Sequence, residues 1–159
     1  MIMDVIKRNA PLLKLPNGIN SEAVLYAIAC QESTLGANNN PRFEISYWRN
    51  PNMKKMIDKY DRKSCCSWGS WQIMYPTACE LGYTGTPEGL ADNETSIIYV
   101  IKYIKYRAVK AKEKAGGTLR LQDIFDAYNS GNPNDKIIPE RYINSCMQYY
   151  SDYLNKFKK

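Results

Sequence analysis

Glu32 is the residue whose type and position in this 159-residue chain ask most clearly for chemistry. It follows the stretch Ala23-Val24-Leu25-Tyr26-Ala27-Ile28-Ala29-Cys30, which is apolar nearly all round. A helix with no polar face is normally the central, buried helix of its domain. A carboxylate four residues after Ile28 and eight after Val24 therefore projects along its inward stripe. Burial away from cations disfavours the ionised form and raises the pKa, which turns a glutamic acid into a proton donor near neutral pH. The competing reading is a solvated carboxylate at a helix C-terminus, just before Ser33-Thr34-Leu35-Gly36, since charged side chains are seldom fully buried. Two later segments weigh against it, Ser67-Trp68-Gly69-Ser70-Trp71-Gln72-Ile73-Met74 and Ala127-Tyr128-Asn129-Ser130-Gly131. Each has a plain structural explanation when taken alone: tryptophans pack cores, glycine turns the chain, and Tyr-Asn-Ser-Gly ends a helix.

Other chemistries find less support. The chain has no histidine and five cysteines, Cys30, Cys65, Cys66, Cys79 and Cys146, with no CxxC pair. Zinc ligation lacks both spacing and partner ligands, and a cysteine nucleophile lacks a histidine base. Neither a metal nor a cofactor is expected. Cys30 and Cys146 fall in helical patterns as small core residues, and free thiols in a reducing compartment are the expected state.

The elements that must position these residues read as mostly helical. A first helix near Asp4 to Leu13 ends before the turn Pro16-Asn17-Gly18. Asn20 or Ser21 caps the helix that carries Glu32, with Glu22 in its first turn. Arg42-Phe43-Glu44-Ile45-Ser46-Tyr47-Trp48 reads as a short extended piece, Asn52 to Tyr60 has helical spacing, and Ser64 to Trp71 is a loop or small hairpin. Pro76 opens a short helix closed by Gly82. The longest helix begins at Asp92 or Asn93 and ends at Gly116-Gly117. Ile97, Val100, Ile101, Ile104 and Ala108 form its stripe, with Lys102, Lys105, Lys110 and Lys112 off it. Leu121 to Tyr128 is stopped near Gly131, and Pro139 starts a last helix running toward Leu154. There are no internal repeats, and residues 1–159 fit a single domain able to bury a core without staples.

The formal charge is +6, from 22 Lys and Arg against 16 Asp and Glu, much of it in Lys102 to Lys114 and in Lys156, Lys158 and Lys159. Such a face attracts polyanions, whether nucleic acid or an anionic bacterial wall, or is simply a solvated helix surface. Ile97-Ile98-Tyr99-Val100-Ile101 falls well short of the roughly 20 apolar residues of a membrane span. The N-terminus has no long apolar core or small-residue cleavage site, so no secretory signal is read. A nucleic-acid role lacks a phosphate-binding glycine loop or a recognition motif, and the thirteen tyrosines are spread through helices where packing explains them.

The order Glu-Ser at a helix end, then Gly-x-x-Gln-Ile, then Ala-Tyr-Asn-x-Gly, then a closing amphipathic helix resembles the soluble lytic transglycosylase domain and the related goose-type lysozymes. The resemblance covers about Ser21 to Tyr153. Arg42-Phe43-Glu44 with Tyr47-Trp48, together with Ser67-Trp68-Gly69 leading into Gln72-Ile73-Met74, is similar to a bacterial and phage N-acetylmuramidase family. The fold class implied is mainly α (α+β, lysozyme-like), with a small loop or β-hairpin bordering a glycan cleft. The partner implied is the glycan strand of peptidoglycan, bound by a monomer without nucleic acid or membrane insertion.

On this resemblance Glu32 protonates the glycosidic oxygen between N-acetylmuramic acid and N-acetylglucosamine. As a carboxylate it then takes the C6 hydroxyl proton to leave a 1,6-anhydro sugar. Tyr128 orients the acid or stabilises positive charge, Asn129 and Gln72 hydrogen-bond the glycan beside Ile73, and Ser33 supports the helix end or touches sugar. Trp71 stands where the family has a smaller residue, and either walls the cleft or packs the core. Hydrolysis needs a second carboxylate, with Glu44 the first candidate and Asp61 the second, while the plain reading of Glu44 is an ion pair with Arg42 or Arg49. The alternative of another class is a lysozyme-like domain that binds wall glycan, or scaffolds a phage particle, without catalysis. The expected site of action is the bacterial wall, reached from the cytoplasm as a phage lysin or inside a virion.

Overall fold

The apolar stretch forms the helix through the middle of the molecule, and the remaining elements are arranged around it. The computed structural model describes residues 1–131, 134 and 138–158, so Lys159 of the basic C-terminal group lies outside the described residues. Helix α1 (Ile2–Asn9) runs into a 3-10 turn and leads to α2 (Ser21–Ser33). Asn20 caps α2 by accepting the Ala23 N–H at 2.9 Å, satisfying one of the donors that a helix start leaves open. Ala23, Val24, Leu25, Ala27, Ile28 and Ala29 are all completely buried, so α2 uses nearly its whole circumference for packing.

Next come strand β1 (Arg42–Phe43), the short helix α3 (Ile45–Trp48) and α4 (Lys54–Tyr60). Strands β2 (Cys66–Trp68) and β3 (Ile73–Met74) complete a small antiparallel sheet in the order β1-β2-β3, with Phe43 opposite Cys66 and Trp68 opposite Ile73. The extended reading of Arg42 to Trp48 therefore holds only for Arg42 and Phe43. From Ile45 the chain coils, which brings the Trp48 ring edge-on to Phe43 at 6.0 Å, with the Arg62 guanidinium 3.9 Å from the Phe43 centroid.

Helices α5 (Tyr75–Glu80), α6 (Asn93–Ile104), α7 (Ala111–Lys114), α8 (Leu121–Ser130) and α9 (Glu140–Phe157) follow. The chain is thus mainly α with one small sheet, an α+β arrangement. Asp92 caps α6 on the Thr95 N–H at 3.0 Å, and Gly131 ends α8 in the left-handed region at φ 80°. Between α6 and α7 the residues Lys105–Lys110 form a π-helical turn, which sequence periodicity does not announce. The stripe Ile97, Val100, Ile101, Ile104 and Ala108 is buried as expected. Lys112, expected off that stripe, lies one turn past Ala108 and turns inward, where its ammonium stands 3.7 Å from buried Asp123. Arg120 completes this charge group with a 2.9 Å bond to the same carboxylate.

Helix α9 lies along α2. The Tyr153 hydroxyl bonds Glu22, the Tyr26 and Tyr153 rings meet at 5.1 Å, and the Tyr150 hydroxyl accepts the Asn20 N–H at 2.9 Å. This pairing fixes which residues of α9 stand behind Glu32. No helix among the described residues is long and apolar enough to cross a membrane.

Candidate active site

Glu32 sits in the last turn of α2, and the way that helix stops determines what surrounds it. Thr34 switches to the left-handed region (φ 52°, ψ 51°), followed by Leu35 at φ 55° and Gly36 at φ 89°. Left-handed backbone costs a non-glycine residue about 1–2 kcal/mol. The conformation is held by Thr34 and Leu35 N–H groups closing onto the Cys30 and Ala29 carbonyls, each at 3.0 Å. The buried Ser33 hydroxyl reinforces it, lying 2.6 Å from the Ser70 carbonyl and 3.0 Å from that of Ala29, while it accepts the Gly36 N–H at 2.8 Å. Ser33 thus supports the helix end, the first of its two expected roles, and is too buried to meet a sugar.

The Glu32 side chain is 16% exposed. Burial raises its pKa from the ordinary 4.5 to about 7, with Arg42 opposing the shift. Arg42 is placed by β1 so that one guanidinium nitrogen lies 3.9 Å from the Glu32 carboxylate and the other donates to the Glu32 main-chain carbonyl. The cation is half exposed, which explains why burial outweighs it. A carboxyl with this pKa is a mixture of acid and carboxylate at neutral pH, as a group that must both give and take a proton requires.

Glu32 opens onto a cleft of about 520 Å³, within the range of ligand sites. The sheet and its flanks contribute Arg42, Glu44, Ser67, Gln72 and Ile73 to the lining; α6 and the π-helical turn after it contribute Tyr103 and Arg107; the end of α8 supplies Tyr128 and Asn129. Six of the eight residues expected at the site (Glu32, Glu44, Gln72, Ile73, Tyr128 and Asn129) line this one cleft. Trp71 and Ser33 do not. Trp71 is completely buried with its indole N–H on the Leu25 carbonyl at 2.9 Å, so its place is in the core and not on the cleft wall. Asp61 is likewise absent from the lining, which leaves Glu44 as the second carboxylate of the cleft.

Gln72 is engaged within the protein. Its amide nitrogen donates to the Gly69 carbonyl at 2.8 Å and lies 3.3 Å from that of Asn40, and its oxygen accepts from Ser67 at 2.8 Å. It therefore braces the sheet wall and keeps one acceptor position for a ligand. Glu44 follows β1, fixed by its N–H on the Cys65 carbonyl at 2.9 Å, and its side chain is exposed. Arg42 turns to Glu32 instead, and no ion pair with Glu44 forms among the described residues.

The Tyr128 hydroxyl donates to the Trp71 carbonyl at 2.6 Å. Its proton is committed there, so the oxygen presents lone pairs, which suit a developing positive charge better than they suit orienting Glu32. Burial and the Glu32 charge both push its pKa well up, keeping the phenol neutral. A residue that sequence reasoning passed over stands with it. Tyr142, on the first turn of α9, has a buried hydroxyl that meets no nitrogen or oxygen partner among the described residues and has only the Cys146 thiol beside it. Its pKa is raised by burial and then by Glu32, which is also the first charge to bear on the buried Cys146 thiol. Glu32 is therefore backed by neutral groups from α8 and α9. Only the helical phase of α9 against α2 distinguishes Tyr142 from the other tyrosines of the sequence.

No protein-family model, curated protein or solved structure matches this chain. The functional reading accordingly rests on the cleft itself. Among the described residues no group of three or more His, Cys, Asp or Glu is placed to hold a metal ion.

Proposed function

We propose that this cleft breaks the β-1,4 bond between N-acetylmuramic acid and N-acetylglucosamine in peptidoglycan, in the manner of a lytic transglycosylase. The observation that carries the proposal is a carboxyl raised by burial to about 7 on the wall of an open cleft. Glycosidic oxygen is a poor leaving group until protonated, and an acid of this strength can donate at neutral pH. Glu32 gives its proton as the C1–O bond breaks, and positive charge collects on the muramic acid ring. The Tyr128 lone pairs face that charge. The resulting Glu32 carboxylate takes the proton of the C6 hydroxyl as O6 bonds to C1, so the acid is restored without a water molecule. The order of the motifs around Glu32, Gln72 and Tyr128, and the positive charge of +6 toward an anionic polymer, support the same reading.

Hydrolysis is the second reading, favoured by the presence of Glu44 on the same cleft, from which a carboxylate can activate water. Glu32→Gln is expected to lower the clearing of purified peptidoglycan about 10²- to 10⁴-fold, the usual contribution of a general acid. Clearing at the wild-type rate would leave wall binding without catalysis as the function. Mass spectrometry of the released muropeptides separates the two chemistries: anhydro ends from transglycosylation, reducing ends from hydrolysis. Persistence of the product and of most of the rate in Glu44→Gln belongs to the first.

A further inference from the structure

The cleft lining carries a cation that the chemistry above does not use. Arg107 lies within the π-helical turn Lys105–Lys110, one turn past Tyr103, and both line the cleft that holds Glu32. Single π-helical turns inside α-helices are frequent at functional sites. Its side chain is 42% exposed, and its ion-pair partner is Glu80 at 3.9 Å, itself 70% exposed. A pair so long and so wet contributes little and does not account for an arginine on a cleft wall. The Tyr106 ring, 5.3 Å from the guanidinium carbon, steadies it from outside.

The other cation of the cleft, Arg42, is occupied by the carbonyl and carboxylate of Glu32. Arg107 therefore has donors in reserve, arranged in the planar fork that matches a carboxylate. A neutral N-acetylated glycan offers such a fork only hydroxyls and amides. A muramic acid strand offers carboxylates, on its lactyl group where the peptide is missing and on the stem peptide where it is present. The two cleft carboxylates, Glu32 and Glu44, repel an anionic substituent unless a cation offsets them.

We propose that Arg107 binds a carboxylate of the lactyl or peptide substituent, and so makes acidic muramic acid strands, and not neutral glycans, the substrate of the cleft. This rests on the reading of the cleft as a peptidoglycan-cleaving site. Arg107 is a specificity-determining residue here and takes no part in proton transfer.

The test measures kcat and KM of the wild type, Arg107→Gln, Arg107→Lys and Glu80→Gln on three substrates: native peptide-bearing strands, the same strands with carboxyls converted to amides, and peptide-free strands with exposed lactyl carboxylates. Arg107→Gln is expected to raise KM roughly tenfold on native strands, as loss of a partly exposed charge-assisted bond does. Its kcat should stay within about twofold, and the penalty should vanish after amidation. Arg107→Lys should fall between, and Glu80→Gln, which removes the competing carboxylate, should hold or lower KM. A penalty on peptide-free strands assigns the lactyl carboxylate, and a penalty confined to native strands assigns the stem peptide. An equal penalty on native and amidated strands, or none on any of the three substrates, overturns the role of Arg107 while leaving cleavage intact. A wild type that cleaves none of the strands overturns the proposed function and this inference with it.

Discussion

An acid catalyst works only while it holds its proton, so the buried Glu32 carboxyl sets the pH range of the reaction. With its pKa raised to about 7, kcat/KM should be level below that pH and fall about tenfold per unit above it. Arg42 is the charge that opposes the rise, and Arg42→Gln should move the falling limb to higher pH; a limb that stays or moves down would show that Arg42 does not govern the acid. A second carboxylate acting as base would add a falling limb on the acid side, which one carboxylate working twice does not need. Tyr142 permits a sharper experiment, because its hydroxyl is buried with only the weakly bonding Cys146 thiol beside it. Removing such a hydroxyl is normally neutral or stabilising. Tyr142→Phe should therefore keep or raise Tm while lowering kcat about tenfold, if the hydroxyl donates to Glu32 once the acid has lost its proton. A fall in Tm alongside activity would mark the hydroxyl as structural.

The loop between β2 and β3 is where the elements of the site are fastened together. The Ser70 carbonyl receives Ser33 of α2, the Trp71 carbonyl receives Tyr128 of α8, and the Ser70 hydroxyl bonds Asn93 at the start of α6 at 2.7 Å. Gly69 lets the loop pass so close to its neighbours: its φ is 79°, and an added Cβ would stand 2.5 Å from the Leu90 carbonyl oxygen. Gly69→Ala should cost at least about 2 kcal/mol from the left-handed backbone and the overlap. For a chain of this size that lowers Tm by roughly 4–8 °C, and activity should fall with it because Tyr128 and Ser33 lose their anchor. Much of this frame was legible, since α2 is apolar on all sides, Asn20 and Asp92 are capping residues, and Gly131 follows a periodic run. The site was legible where an unlikely residue type marked it, as at Glu32. It was not legible where geometry decides between equivalent residues: Tyr142 among thirteen tyrosines, Trp71 in the core instead of the wall, Gln72 spent on the loop, and Arg107 on a π-helical turn.

At the scale of the whole molecule, the feature that makes Glu32 useful should weaken the fold at neutral and alkaline pH. Its pKa rises from 4.5 in an exposed chain to about 7 in the folded one, so between those values the folded state holds more protons than the unfolded state. Stability then declines as pH rises through that window, and the stabilising preference is fully present only below about 4.5. The side chain is 16% exposed, so little of the effect is screened, and 2.5 units correspond to roughly 3 kcal/mol. Glu32→Gln removes the titration and keeps the shape. Other titrating groups act in the opposite sense, notably Glu22, held down chiefly by Tyr153, and Asp123, whose carboxyl is lowered by Arg120 and Lys112 against its own burial. They are common to both proteins and cancel in the comparison. The excess stability of Glu32→Gln should thus be near zero at pH 4, grow through pH 5 to 7, and level off above pH 8 at up to about 3 kcal/mol, or roughly 6–12 °C in Tm. Paired thermal melts across this range measure it directly. A difference independent of pH would mean that burial is not felt at Glu32, and the proton donor would lose its physical basis along with the stability effect. A difference that grows as described, together with lost activity in the same variant, would identify the buried carboxylate as a catalytic group retained at the expense of the fold.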